Sequence, residues 1–179
     1  MIDHPFLRTA SWLVMAGLAA AGAYALSIDI VEGAVLLGLA VLGGVALHFQ
    51  YALPSGIMLL LIVAATVNAA GYIIGLWHER TMFDEFVHAF TTFAGITALI
   101  WMATRDGRLL DGASALSVVA FALFAGLILG LVWEGFEWLI GIIGNQRDTL
   151  VDLAMDCLGA ATAGVLFTGF QTRRAPVRK

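Results

Sequence analysis

Apolar residues fill this chain in six long stretches, at about 6–26, 31–50, 54–76, 84–104, 114–143 and 148–170, joined by short polar links. A bilayer core about 30 Å thick is crossed by roughly 20 apolar residues in a helix, and each stretch reaches about that length. The runs are rich in Ala, Leu and Gly and show no alternation of period two, so they read as helices and not as strands of a barrel. Polar residues that enter these runs do so at helical spacing. Asp84 and His88 are four apart, Glu134 and Glu137 three apart, and Asp148, Asp152 and Asp156 each four apart, so each set lines a helix face. The pattern predicts an all-α polytopic membrane protein, with six transmembrane helices in one compact bundle over residues 1–179.

Composition agrees: 61% of the residues are hydrophobic, 12% are charged and the mean hydropathy is +0.94, values that exclude an ordinary soluble domain. The single cysteine, Cys157, excludes an internal disulfide framework and a cysteine-rich metal site. Arg8, the apolar run after it and Ala23-Tyr24-Ala25 resemble a signal peptide, but the length of the run reads better as a retained first span. The net charge of −4 matters less than where each sign sits. Arg8, Arg105, Arg108, Arg173, Arg174, Arg178 and Lys179 fall on one side of the predicted spans, and only Arg80 and Arg147 on the other. The positive-inside bias then places both termini in the cytoplasm, and the basic tail reads as a topology signal in contact with lipid head groups. No basic patch suits nucleic acid, and neither a nucleophile motif nor a glycine-rich phosphate loop is present.

The polar faces have a common design. Below Asp148, Asp152 and Asp156 the same row continues through Ala160, Gly164 and Thr168, acidic above and small below. Such a face must look at protein, because a neighbouring helix can approach at Ala160 and Gly164 whereas lipid accepts no carboxylate. The fifth run mirrors it, with Gly126, Gly130, Glu134 and Trp138 at intervals of four and Glu137 on the adjacent row. In the fourth run Asp84 suits a helix N-cap, but His88, about 6 Å further along by helical rise, lies beyond the reach of that explanation. Asn68 and Tyr72 read as interhelical hydrogen-bonding groups, His48 as a cap or head-group contact, and His78 with Glu79 as loop residues with a smaller claim on any site.

These assignments bring the acids and His88 to the same, outer half of the membrane. Each acid facing lipid would cost roughly 2.5–3.5 kcal/mol, so a shared pocket inside the bundle is the expected arrangement. Crowded carboxylates need protons or cations among them. Three readings satisfy that need: a divalent-metal site, a proton or ion pathway, and a hydrogen-bonded structural plug. In the metal reading Asp84, His88, Glu134, Asp152 and Asp156 are ligands for Mg²⁺, Mn²⁺, Zn²⁺ or iron, and Glu137 is a neighbouring acid or general base. Arg147 and Asp148 would then face a substrate, with Arg147 on an anionic head group, in a hydrolase or transferase acting on an envelope lipid. The rivals are a proton- or cation-coupled transporter component and a subunit packed against a protein partner in a larger membrane complex.

Asp84-Glu85-x-x-His88, Trp133-Glu134-x-x-Glu137-Trp138 and Asp148-x-x-x-Asp152-x-x-x-Asp156-x-x-Gly159 resemble the motifs of an uncharacterised bacterial inner-membrane family that includes YjdF, and more loosely those of VanZ-type membrane proteins. The likeness covers the second half of the chain. It implies a multi-pass protein of the bacterial cytoplasmic membrane in which these acids matter, and it names no substrate.

Overall fold

A computed structural model describes residues 5–28, 31–51, 53–73, 76, 82–104, 108–140 and 145–172. The described residues form helices α1 (Pro5–Ser27), α2 (Val31–Tyr51), α3 (Ser55–Ile73), α4 (Phe83–Ala103), α5 (Ala115–Ile140) and α6 (Gln146–Thr172), with no strand among them. Their bounds follow the six apolar runs to within a few residues. Four of them, α1, α4, α5 and α6, are long and apolar enough to cross a membrane, and α3 carries a shorter apolar stretch, Ser55–Gly71.

Local chemistry explains where the helices begin and end. Pro5 opens α1 at the position where its missing N–H is not needed. The carbonyl of Pro54 accepts the N–H groups of Ile57 and Met58 at 2.9 and 3.0 Å, closing the first turn of α3. Between α4 and α5 the chain turns through Gly112, whose φ of 70° lies in the left-handed region. Ser114 then caps α5, its Oγ accepting the Ser117 N–H at 3.1 Å. Asn145 caps α6 in the same way, with Oδ1 accepting from Arg147 N at 2.9 Å and Asp148 N at 3.3 Å.

The chain divides into two compact units, residues 1–87 and 88–179. In the first, Met15 and Leu18 of α1, Leu37 of α2 and Met58, Ile62 and Ala69 of α3 form one buried cluster. At Gly22 α1 faces α2, where an added Cβ would make ordinary contact with Leu37 Cβ at 3.4 Å.

In the second unit the core is Ile96 and Ile100 of α4, Val118 and Ala122 of α5, and Ala160 and Ala163 of α6. Small residues set how near these helices come. A Cβ at Gly126 would fall on Ala160 Cβ, and one at Gly164 would lie 3.1 Å from both Val119 Cα and Ala122 Cβ, so α5 rests on the small row of α6. A Cβ at Gly159 would run into the carbonyl of Ala89 on α4, a backbone atom that cannot step aside. The far side of α5 is apolar and exposed at Leu116, Phe124, Val132 and Leu139, as a lipid-facing surface requires.

Gly159→Ala should therefore destabilise the protein by about 1–3 kcal/mol or more, because α4 and α6 must separate. Gly135→Ala, where nothing lies within 4 Å of the added carbon, should be tolerated. Thermal unfolding in detergent distinguishes the two; equal melting temperatures would show that the α4–α6 contact is not tight.

Candidate metal centre

The acidic part of the second unit begins one turn from its tightest contacts. A Cβ at Gly130 would strike Asp156 Oδ2 and meet Leu153 Cδ2 at 3.0 Å, so the absence of a side chain on α5 makes room for the Asp156 carboxylate on α6. That carboxylate is 2% exposed. Its Oδ1 accepts the Thr92 hydroxyl at 2.5 Å and its Oδ2 lies 3.4 Å from His88 Nδ1, so both oxygens are engaged by α4. Thr92 is one turn after His88 on the same face, which is why one carboxylate can reach both.

Three further acids are buried with it: Glu134 at 5%, Glu137 at 7% and Asp152 at 4% exposure, beside His88 at 4%. His88, Glu134 and Glu137 each offer a ligand atom, and these atoms lie within 4.8 Å of one another. Asp152 brings a carboxylate oxygen equally near to His88. Trp133 Nε1 donates to Glu137 Oε1 at 2.7 Å across one turn of α5, and its ring packs on Phe136 with centroids 5.7 Å apart. The Oε1 of Glu134 is also buried, and it accepts no hydrogen bond among the described residues.

Two ionised carboxylates about 4.8 Å apart repel by about 3.5 kcal/mol at an effective dielectric constant of about 20, and more when closer. Neutral donors such as Thr92 and Trp133 orient these groups but leave the net charge as it is. A proton or a cation must supply the rest. The donor set fits a divalent ion: metal–ligand bonds of about 2.1 Å set ligand atoms roughly 3–3.5 Å apart, and the ligand atoms of His88, Glu134 and Glu137 lie within 4.8 Å of one another.

Of the residues expected at the site, His88, Glu134, Glu137, Asp152 and Asp156 are brought together. Asp84 is half-buried in the first turn of α4, one turn before His88, in the part of that helix that belongs to the first unit. Arg147 and Asp148 are exposed in the first turn of α6, where Asn145 receives their backbone N–H groups. An acid at Asp148 suits the positive end of the helix, which accounts for it without a substrate. Asn68 is half-buried on α3 in the first unit, and Cys157 is a half-buried free thiol. His78, Glu79 and Arg80, and the side chains of His48 and Tyr72, lie outside the described residues. Thr92 and Trp133 were not anticipated as partners of the acids. Each stands four residues from a site residue and carries a donor, a signal that local spacing does contain.

The profile of a family described as "Predicted membrane protein (DUF2238)" matches residues 6–173. This supports the wider part of the motif resemblance, an uncharacterised membrane family, and does not carry the YjdF or VanZ naming. No curated protein and no solved structure matches the chain.

Trp133→Phe keeps an aromatic ring but removes the donor to Glu137, and should destabilise the protein by about 1 kcal/mol or more, the scale of a lost buried hydrogen bond. Trp138→Phe, at a position 76% exposed, should change stability by no more than about 0.5 kcal/mol. Chemical or thermal unfolding of the two variants in the same detergent makes the comparison, and equal effects would count against the Trp133–Glu137 bond.

Proposed function

The chain belongs to the predicted membrane protein family DUF2238, and from that premise we propose that it holds a divalent metal ion within the membrane, bound by His88, Glu134 and Glu137 with Asp152 beside them. One observation carries the reading: three helices bring these buried acids and an imidazole into ligand range, and one carboxylate oxygen, Glu134 Oε1, accepts no hydrogen bond among the described residues. A structural plug would have satisfied that atom with a donor.

We read the protein as multi-pass in the bacterial inner membrane, with six helices crossing and both termini in the cytoplasm. The distribution of Arg and Lys supports the orientation, and the match to a predicted membrane protein family supports a membrane location. The site then lies toward the periplasmic face: Glu137 and Glu134 are about 4.5 and 9 Å by helical rise from Ile140, the last described residue of α5. A divalent ion there supplies a Lewis acid and a water of lowered pKa, chemistry suited to hydrolysis or transfer at an envelope lipid. The exposed Arg147 at the same end of α6 offers a cation for an anionic head group.

Elemental analysis of protein purified in detergent tests the metal. The wild type should carry a stoichiometric divalent ion, and Glu134→Gln and His88→Ala should lose it; negligible metal in all three after incubation with Mn²⁺, Fe²⁺ or Zn²⁺ would end the proposal. Topology is tested separately by C-terminal fusions. A fluorescent-protein fusion should be bright and an alkaline phosphatase fusion inactive, and the reverse pattern would overturn the orientation.

A further inference from the structure

Resting on the metal-centre reading, we propose that Asp156 is the residue that aims His88 at the ion and is not itself a ligand. We propose further that the resulting set of one imidazole and two glutamates selects Mn²⁺, Fe²⁺, Co²⁺ or Zn²⁺ over Mg²⁺ and Ca²⁺.

The assignment follows from what Asp156 already does. Its Oδ1 accepts the Thr92 hydroxyl and its Oδ2 faces His88 Nδ1 at 3.4 Å. Behind it the α5 backbone stands so close at Gly130 that no side chain fits between. Asp156 is 2% exposed, and each of its carboxylate oxygens already faces a group on α4. His88 is the group that gains. An imidazole presents two nitrogens, and a carboxylate takes the one that carries the proton. With the proton on Nδ1 the lone pair lies on Nε2, the form in which a neutral histidine binds metal, and a carboxylate behind the ring raises the basicity of that nitrogen. Glu134 and Glu137 are the acids within ligand range of this histidine on α5. The unpartnered, buried Oε1 of Glu134 is the independent sign that a cation belongs among them. Trp133 acts on Glu137 as Asp156 acts on His88, fixing one atom of a ligand from outside.

Selectivity follows from the donor atoms. Imidazole nitrogen suits first-row transition ions and zinc, whereas Mg²⁺ and Ca²⁺ favour all-oxygen shells and Mg²⁺ keeps several waters. A buried site with a built-in imidazole favours the first group.

Titration of the full-length protein in detergent with Co²⁺, followed by visible absorption, tests both parts. The wild type should develop ligand-field bands that equimolar Mg²⁺ does not displace. Asp156→Asn should keep the band positions, because the ligands are unchanged, and weaken the Kd by about 10–100-fold. Glu134→Gln, which removes a ligand, should shift or abolish the bands. Thr92→Val, which frees Asp156 from its hydroxyl, should show a smaller loss of the same kind, and it decides the matter if Asp156→Asn does not fold. Bands abolished in Asp156→Asn as in Glu134→Gln would make Asp156 a ligand, and an unchanged Kd would make it a bystander. Either result overturns the assignment, and displacement by equimolar Mg²⁺ overturns the selectivity. A wild type that binds no Co²⁺ at all would instead remove the metal centre on which the assignment rests.

Discussion

Close approach of backbones is the constraint on which the second unit depends. In lipid there is no hydrophobic gain in bringing two helices together, so association rests on packing and on polar contacts between them. Gly159 against the Ala89 carbonyl, Ala160 under Gly126, and Gly164 against Val119 and Ala122 supply that packing along two sides of α6. The polar contacts then become short enough to form. Had α5 carried even an alanine at position 130, Asp156 could not lie where Thr92 and His88 meet it.

The same geometry explains why so many acids can be buried together. Each helix brings its own means of orienting a neighbour: Thr92 lies one turn from His88 on α4, and Trp133 one turn from Glu137 on α5. These groups fix positions without neutralising charge. His88, Glu134 and Glu137 come within ligand range of one another, and the Oε1 of Glu134 accepts no hydrogen bond among the described residues.

Much of this was legible along the chain. The apolar runs locate the six helices seen among the described residues, four of them long and apolar enough to cross a membrane, because a helix there must satisfy its own backbone and therefore shows as an unbroken apolar stretch. Intervals of four locate the faces, so the small row Ala160–Gly164 and the row Gly126–Gly130–Glu134 could be read as surfaces that meet protein. The depth of Glu134 and Glu137 within an apolar run marked them as groups that need compensation.

What the linear pattern leaves open is how far each neighbouring helix extends alongside a face. Asp148, Asp152 and Asp156 share one row and are equivalent by spacing, yet Asp148 is exposed at a capped helix start while the other two are buried. The partner of Asp156 is 64 residues away, and no local interval encodes it. Helical periodicity is a property of the backbone, and it settles which residues share a face. The rotation and height at which α4, α5 and α6 come to rest depend on the fit of small residues between them, and that fit sorts buried acids from exposed ones.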